Sequence, residues 1–210
     1  KAGLAKKDAE GYRLRTDGKG RLRIEIMTLG GQFVQFTQIS EMIREHWKKI
    51  GIDLIVQEVD RSLALQRTAA NEQQLGAWNN DGSEHLFTFP THVFPFDTIA
   101  VVATSGPLYA KWFQSAGTQG KEPPARMKEL MAKFRRAYGV PEKERIQLGK
   151  EVWKITAEEV YSIGIIGMGS ASMGVRVVKT NMGNIPSRQY NSPDGKTPTI
   201  SRPVTFFYKK

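Results

Sequence analysis

Two short runs carry the side chains best suited to gripping a small molecule: Gly30-Gly31-Gln32 and Trp78-Asn79-Asn80-Asp81. The first is Gly-rich and precedes helix-like sequence. The second presents two amides and a carboxylate beside an aromatic ring. Such groups can hold a guest through hydrogen bonds and stacking. Each also has a plainer reading. Asp81-Gly82 is a good turn dipeptide, and Trp78 could close a buried strand as a core residue.

Residue sets that would break or make bonds are missing. Ser170 and Ser172 have no partnered His or Asp in a nucleophile motif. No carboxylate pair is arranged for acid–base work. Thr28-Leu29-Gly30-Gly31 lacks the Lys and Ser/Thr of a phosphate loop. Gly164, Gly167, Gly169 and Gly174 imitate a dinucleotide fingerprint, but the third glycine is displaced. His85 and His92, with Glu84 and Asp97 near them, do not have the spacing of a zinc motif. With no cysteine, disulfides, thiolate metal sites and cysteine nucleophiles are excluded. The expectation is therefore no catalytic residue, no metal and no cofactor.

The elements that must position the two runs follow from periodicity. Leu22, Ile24 and Ile26 alternate with polar residues and predict a strand. Phe36, Ile39, Ile43, Trp47 and Ile50 share one helical face, and Gly51 supplies a stop. Ile52, Leu54 and Val56 predict a second strand. Asp60 or Ser62 can cap a helix running to about Ala70. Leu75, Ala77 and Trp78 suggest a third short strand. A βαβαβ order implies an α/β fold with a mixed, partly parallel sheet and flanking helices. In such sheets ligands bind beyond the carboxyl ends of the strands. If the strands are parallel, both candidate runs lie at those ends.

Further elements carry less chemistry. Residues 1–12 could form a short helix, followed by a turn at Asp17-Gly18-Lys19-Gly20. Residues 85–96 hold four Phe and two His. They read either as a loop anchored by its Phe side chains or as a cleft wall. A short helix is predicted over 108–115. Two amphipathic helices follow, one carrying Met127, Leu130, Met131, Phe134 and Tyr138, the other beginning with Pro141 at its first position. Residues 161–168, 175–178 and 204–208 read as strands.

The 210 residues allow one good core, and the apolar and charged fractions are ordinary. No apolar run approaches the roughly 18 residues of a membrane-spanning helix. The net charge of +10 invites a nucleic-acid partner. The positive charge, however, lies in residues 1–23, 121–154 and 176–210, while 24–120 is net negative. It is not gathered with aromatics into a stripe, so no nucleic-acid partner is expected.

The order of these signals resembles the C-terminal portion of solute-binding protein family 5, the oligopeptide- and dipeptide-binding type. The matching residues are Lys48-Lys49-Ile50-Gly51-Ile52-Asp53, then Trp78-Asn79-Asn80-Asp81, and Glu144-Arg145-Ile146-Gln147-Leu148-Gly149-Lys150. Gly106-Pro107-Leu108 and Gly120-Lys121-Glu122-Pro123-Pro124 resemble a branch described as peptide transporters. The resemblance covers nearly the whole chain.

It implies two α/β lobes with ligand between them. Residues 1–185 would form the C-terminal ligand-binding lobe, and 186–210 a tail returning toward a first lobe outside this chain. It implies a non-enzymatic protein that captures a peptide or other small solute for an ABC importer and meets its permease subunits. A signal sequence, also outside this chain, would make it periplasmic or extracellular and membrane-associated. Lipid anchoring of the full-length protein is an open expectation.

In peptide-binding members an Asp after this Trp is expected to pair with the peptide α-amino group, a charge-assisted bond. Here the acidic-Pro-Asn-Phe continuation is replaced by Gly82-Ser83-Glu84-His85-Leu86-Phe87, which leaves oligosaccharides and other solutes open. The ligand-binding residues implied are Gly30, Gly31, Gln32, Trp78, Asn79, Asn80 and Asp81. Two readings stand beside this one: a small α/β hydrolase or transferase using the same loops, and a nucleic-acid-binding module using the basic ends.

Overall fold

A computed structural model describes residues 3–31, 34–79, 86–98, 106–165, 178–187 and 202–209. The chain divides into two compact units: Lys1–Asn79 with Thr98–Pro107, and Asn80–Asp97 with Leu108–Lys210.

The first unit is built on β1 (Arg23–Leu29), whose last four residues are all buried. Burial of consecutive residues suits a strand covered on both faces. Helix α1 (Phe36–Ile50) follows and ends at Gly51, whose left-handed φ of 84° lets its N–H reach the Lys48 carbonyl. Strand β2 (Asp53–Val59) then pairs parallel to β1 along its whole length, Arg23 opposite Asp53 and Leu29 opposite Val59. Helix α2 (Arg61–Ala69) is capped by Asp60, whose carboxylate accepts from the Ser62 and Leu63 N–H groups. Strand β3 (Leu75–Gly76) pairs parallel to the other side of β1. The strand order is β2-β1-β3.

Strand alternation divides the core between two faces. Ile24 and Ile26 point with Leu54 and Val56 into a cluster with Phe36, Ile43 and Trp47 of α1. Met27 and Leu29 point the other way, onto Ala64 and Leu65 of α2. The result is a helix–sheet–helix sandwich, the α/β fold that the sequence predicts.

The helix expected over residues 1–12 does not form. Antiparallel bridges join Lys7 to Arg13 and Leu14 to Arg21. The reason is local: the Asp8 carboxylate takes the Glu10 and Tyr12 N–H groups, closing a turn in place of a helix. Arg13 then serves α1, donating its backbone N–H to the Gly51 carbonyl and its Nε to the Ile50 carbonyl.

The described part of the second unit is organised around three helices, α3 (Pro107–Gln114, whose first residue falls in the first unit), α4 (Ala125–Arg136) and α5 (Glu142–Glu158). Pro141 stands at the N-cap of α5, one place earlier than predicted. The core joins Leu130, Met131 and Phe134 of α4 to Val152 and Ile155 of α5, with Phe113 of α3. Residues 86–98 contribute a short 3-10 turn, Pro90–His92, and Phe94, which is wholly buried. Phe94 lies 4.9 Å from the Phe134 ring and 5.7 Å from the Phe113 ring, centroid to centroid. The segment is thus anchored through its Phe side chains, the plainer of its two readings.

Residues 161–165 form no strand, and 166–168 and 175–177 lie outside the described residues. Near the end, β4 (Met182–Gly183) pairs antiparallel with β5 (Phe207–Tyr208). A 3-10 turn over Pro203–Thr205 takes the first part of the strand expected at 204–208. Among the described residues no helix is long and apolar enough to cross a membrane.

Candidate ligand-binding site

Because β1 and β3 are neighbours and parallel, the chain leaves both at the same edge of the sheet. Their last registered pair is Met27 with Gly76, and the Ala77 N–H reaches the Met27 carbonyl at 3.2 Å. Gly30 and Asn79 each stand three residues beyond that pair. The carboxyl ends of two adjacent strands therefore open side by side, the arrangement in which parallel sheets bind ligands.

Four of the seven predicted site residues fall among those described: Gly30, Gly31, Trp78 and Asn79. Gly31 is exposed, with a left-handed φ of 67° that suits glycine. Asn79 and Gly30 are half-buried. Gln32, Asn80 and Asp81 lie outside the described residues, as do His85, Gly82 and Glu84.

Trp78 is bound into the fold. Its ring stacks on Phe36 with centroids 5.3 Å apart and planes at 21°. The Arg61 guanidinium stands over the same indole at 5.7 Å. Trp78 also packs against both hydrophobic clusters of its unit, so it spans the end of the sheet from the α1 side to the α2 side.

Sequence reasoning missed a polar chain at this edge. The Thr28 hydroxyl is wholly buried and lies 3.0 Å from that of Thr37. Thr37 donates to the Glu58 carboxylate. A Cβ placed on Gly30 would come within 2.8 Å of Glu58 Cδ, so the glycine makes room for that side chain. The signal was present in the alternation of β2: Leu54, Val56 and Glu58 share one face, and Glu58 is the carboxyl-end member of that row.

His92 makes an edge contact with the Phe89 ring at 5.1 Å. Among the described residues no group of three or more His, Asp or Glu side chains could hold a metal ion.

No family model and no curated protein matches the chain. Solved structures do. The oligopeptide-binding protein OppA matches 99% of the chain with a TM-score of 0.71 and 26% sequence identity. The periplasmic binding protein MelB from Agrobacterium fabrum C58, solved in complex with stachyose, matches 77% at a TM-score of 0.60 and 15% identity. NikA from Brucella suis, solved in complex with Fe(III)-EDTA, matches 76% at a TM-score of 0.51 and 18% identity. The last two bear on the fold alone. The chain spans 34% of OppA, 24% of MelB and 28% of NikA.

These structures are binding proteins, not enzymes, and they define the class: the fold is that of a periplasmic-binding-protein lobe. Within that class the chain is similar over nearly its whole length to an oligopeptide-binding protein, the type of protein that its motifs resemble.

Proposed function

We propose that this chain is the C-terminal ligand-binding lobe of an extracytoplasmic protein that captures a small solute, a peptide in the first instance, for an ABC importer. Residues 1–185 make up the lobe, and 186–210 return toward a first lobe. The observation that carries the reading is the shared opening of the β1 and β3 loops at one edge of the sheet, in a chain that matches an oligopeptide-binding protein over 99% of its length. The likeness to an oligopeptide-binding protein supports solute capture more firmly than peptide specificity.

In this reading Gly30, Gly31, Gln32, Asn79, Asn80 and Asp81 line the ligand's side of the lobe, and the Asp81 carboxylate takes the peptide α-amino group. The Trp78 indole, held between Phe36 and Arg61, supplies a firm edge rather than a mobile platform. The full-length protein works outside the cytoplasm, meets the permease subunits of its importer, and is held at the membrane by a lipid.

The test is to purify the full-length protein and identify its co-purified ligand by mass spectrometry. A peptide whose binding falls at least tenfold in Asp81→Ala supports the proposal. A sugar or metal chelate would remove the peptide assignment, and a protein that carries no solute and binds none from a mixed library would remove the capture reading.

A further inference from the structure

At the start of helix α1, Gln35 makes no side-chain capping bond, and the first turn holds no acidic residue. The Phe36 N–H reaches the Val34 carbonyl, but no acidic side chain of the first turn meets the positive end of the dipole. A carboxylate arrives from a different element. Glu58 of β2 accepts a hydrogen bond from Thr37, the second residue of α1. With the Thr37 proton directed to Glu58, the Thr28 hydroxyl donates to Thr37 Oγ1 across 3.0 Å. Thr28 is the register partner of Glu58, so the chain of bonds closes across β1, β2 and α1. The Glu58 carboxyl also fills the space that a side chain on Gly30 would need.

We infer that Glu58 is a positioning residue for the ligand-binding edge: a carboxylate from β2 that anchors the Thr37 side chain at the start of α1 and packs against Gly30. The ligand-facing part of this inference rests on the function proposed above; the anchoring part does not. The short loop between β1 and α1 has its ends held by these contacts, Gly30 by the packing of Glu58 and Thr37 by its hydrogen bond. Loss of the carboxylate therefore loosens the loop and the first turn together, while α2, on the other face of the sheet, is left as it was.

Amide hydrogen exchange of the chain, followed by NMR, reads this directly. In Glu58→Leu, protection of the Ile39 to Glu41 amides should fall roughly five- to tenfold, the loss expected of one charge-assisted hydrogen bond, with α2 amides unchanged. Gly30→Ala, which displaces the carboxyl while keeping it in the chain, should give the same local pattern. The double variant should be no worse than either single one, because both remove a single contact. Unchanged protection in Glu58→Leu, equal loosening of α2, or additive effects in the double variant would each overturn the inference.

Trialanine binding to the full-length protein, measured by calorimetry, supplies the second arm. Weakened binding in Glu58→Leu supports positioning of the ligand edge, and unaltered binding with loosened amides overturns that part. If the unsubstituted protein does not bind trialanine, the peptide assignment fails, and the exchange measurements still decide the anchoring of α1.

Discussion

Trp78 lies nearly flat on Phe36, joining the carboxyl end of β3 to the first residue of α1. The two residues are far apart in sequence, yet their stack seals the end of the sheet where the candidate loops emerge. Phe36 is 4% exposed. Phe36→Ala should therefore destabilise the chain by about 3–5 kcal/mol, measured by denaturant unfolding, and shift Trp78 emission. A loss of under about 1 kcal/mol would mean that the stack contributes little.

The capping of α2 makes a smaller, local prediction. Asp60 accepts two backbone N–H groups at the helix start. Asp60→Ala should cost about 1 kcal/mol, while Asp60→Ser or Asp60→Asn should restore most of it. Equal losses in all three variants would show that the carboxylate's charge matters more than its role as acceptor.

Gly51 is held by backbone conformation and by space. Its φ is 84°, and a Cβ there would sit 2.8 Å from the Gly11 carbonyl oxygen. Gly51→Ala should lose about 1–2 kcal/mol from the left-handed strain alone, and the clash should also weaken the Arg13 contacts with the end of α1. Thermal melts combined with exchange at residues 11–14 would separate the two effects. A stability matching the parent would contradict both.

Acid stability should depend on the α4–α5 pair. The Arg126 guanidinium hydrogen-bonds Glu129 and holds its carboxyl below the ordinary carboxylate range. Lys133, 2.7 Å from Glu151, does the same for that side chain. Because folding lowers both pKa values, their contribution is fully present above the unfolded carboxylate value, about 4.3, and disappears as pH falls through the lower folded values. Melting temperature should thus drop below about pH 4, and Lys133→Met should flatten that drop. An unchanged acid limb in Lys133→Met would show that the pair does not contribute. The acid drop, and the equal stability that Lys133→Met loses at neutral pH, should both be small, since the groups are partly exposed.

Much of the first unit was legible because its signals are local. The Phe36, Ile39, Ile43, Trp47 spacing and Gly51 located α1, and Asp60 or Ser62 bracketed the start of α2, which the structure assigns to Asp60. The N-terminal segment misled because its helix-like composition competes with a carboxylate, Asp8, that takes nearby N–H groups for a turn. The sheet edge from which the two candidate loops leave was legible, but the polar assembly beside it was not. Glu58, Thr37 and Thr28 come from three elements, and no short-range pattern announces that they meet.

The sequence by itself determined the βαβαβ order, the Gly51 stop of α1 and the likeness to family 5 solute-binding proteins, because periodicity, turn chemistry and motif order are properties of neighbouring residues. Only the tertiary structure decided that β1 lies between β2 and β3, that Trp78 stacks on Phe36, and that a carboxylate from β2 serves a helix which lacks its own cap. Strand order and cross-element contacts depend on which faces are buried against each other, and that is settled when the chain packs.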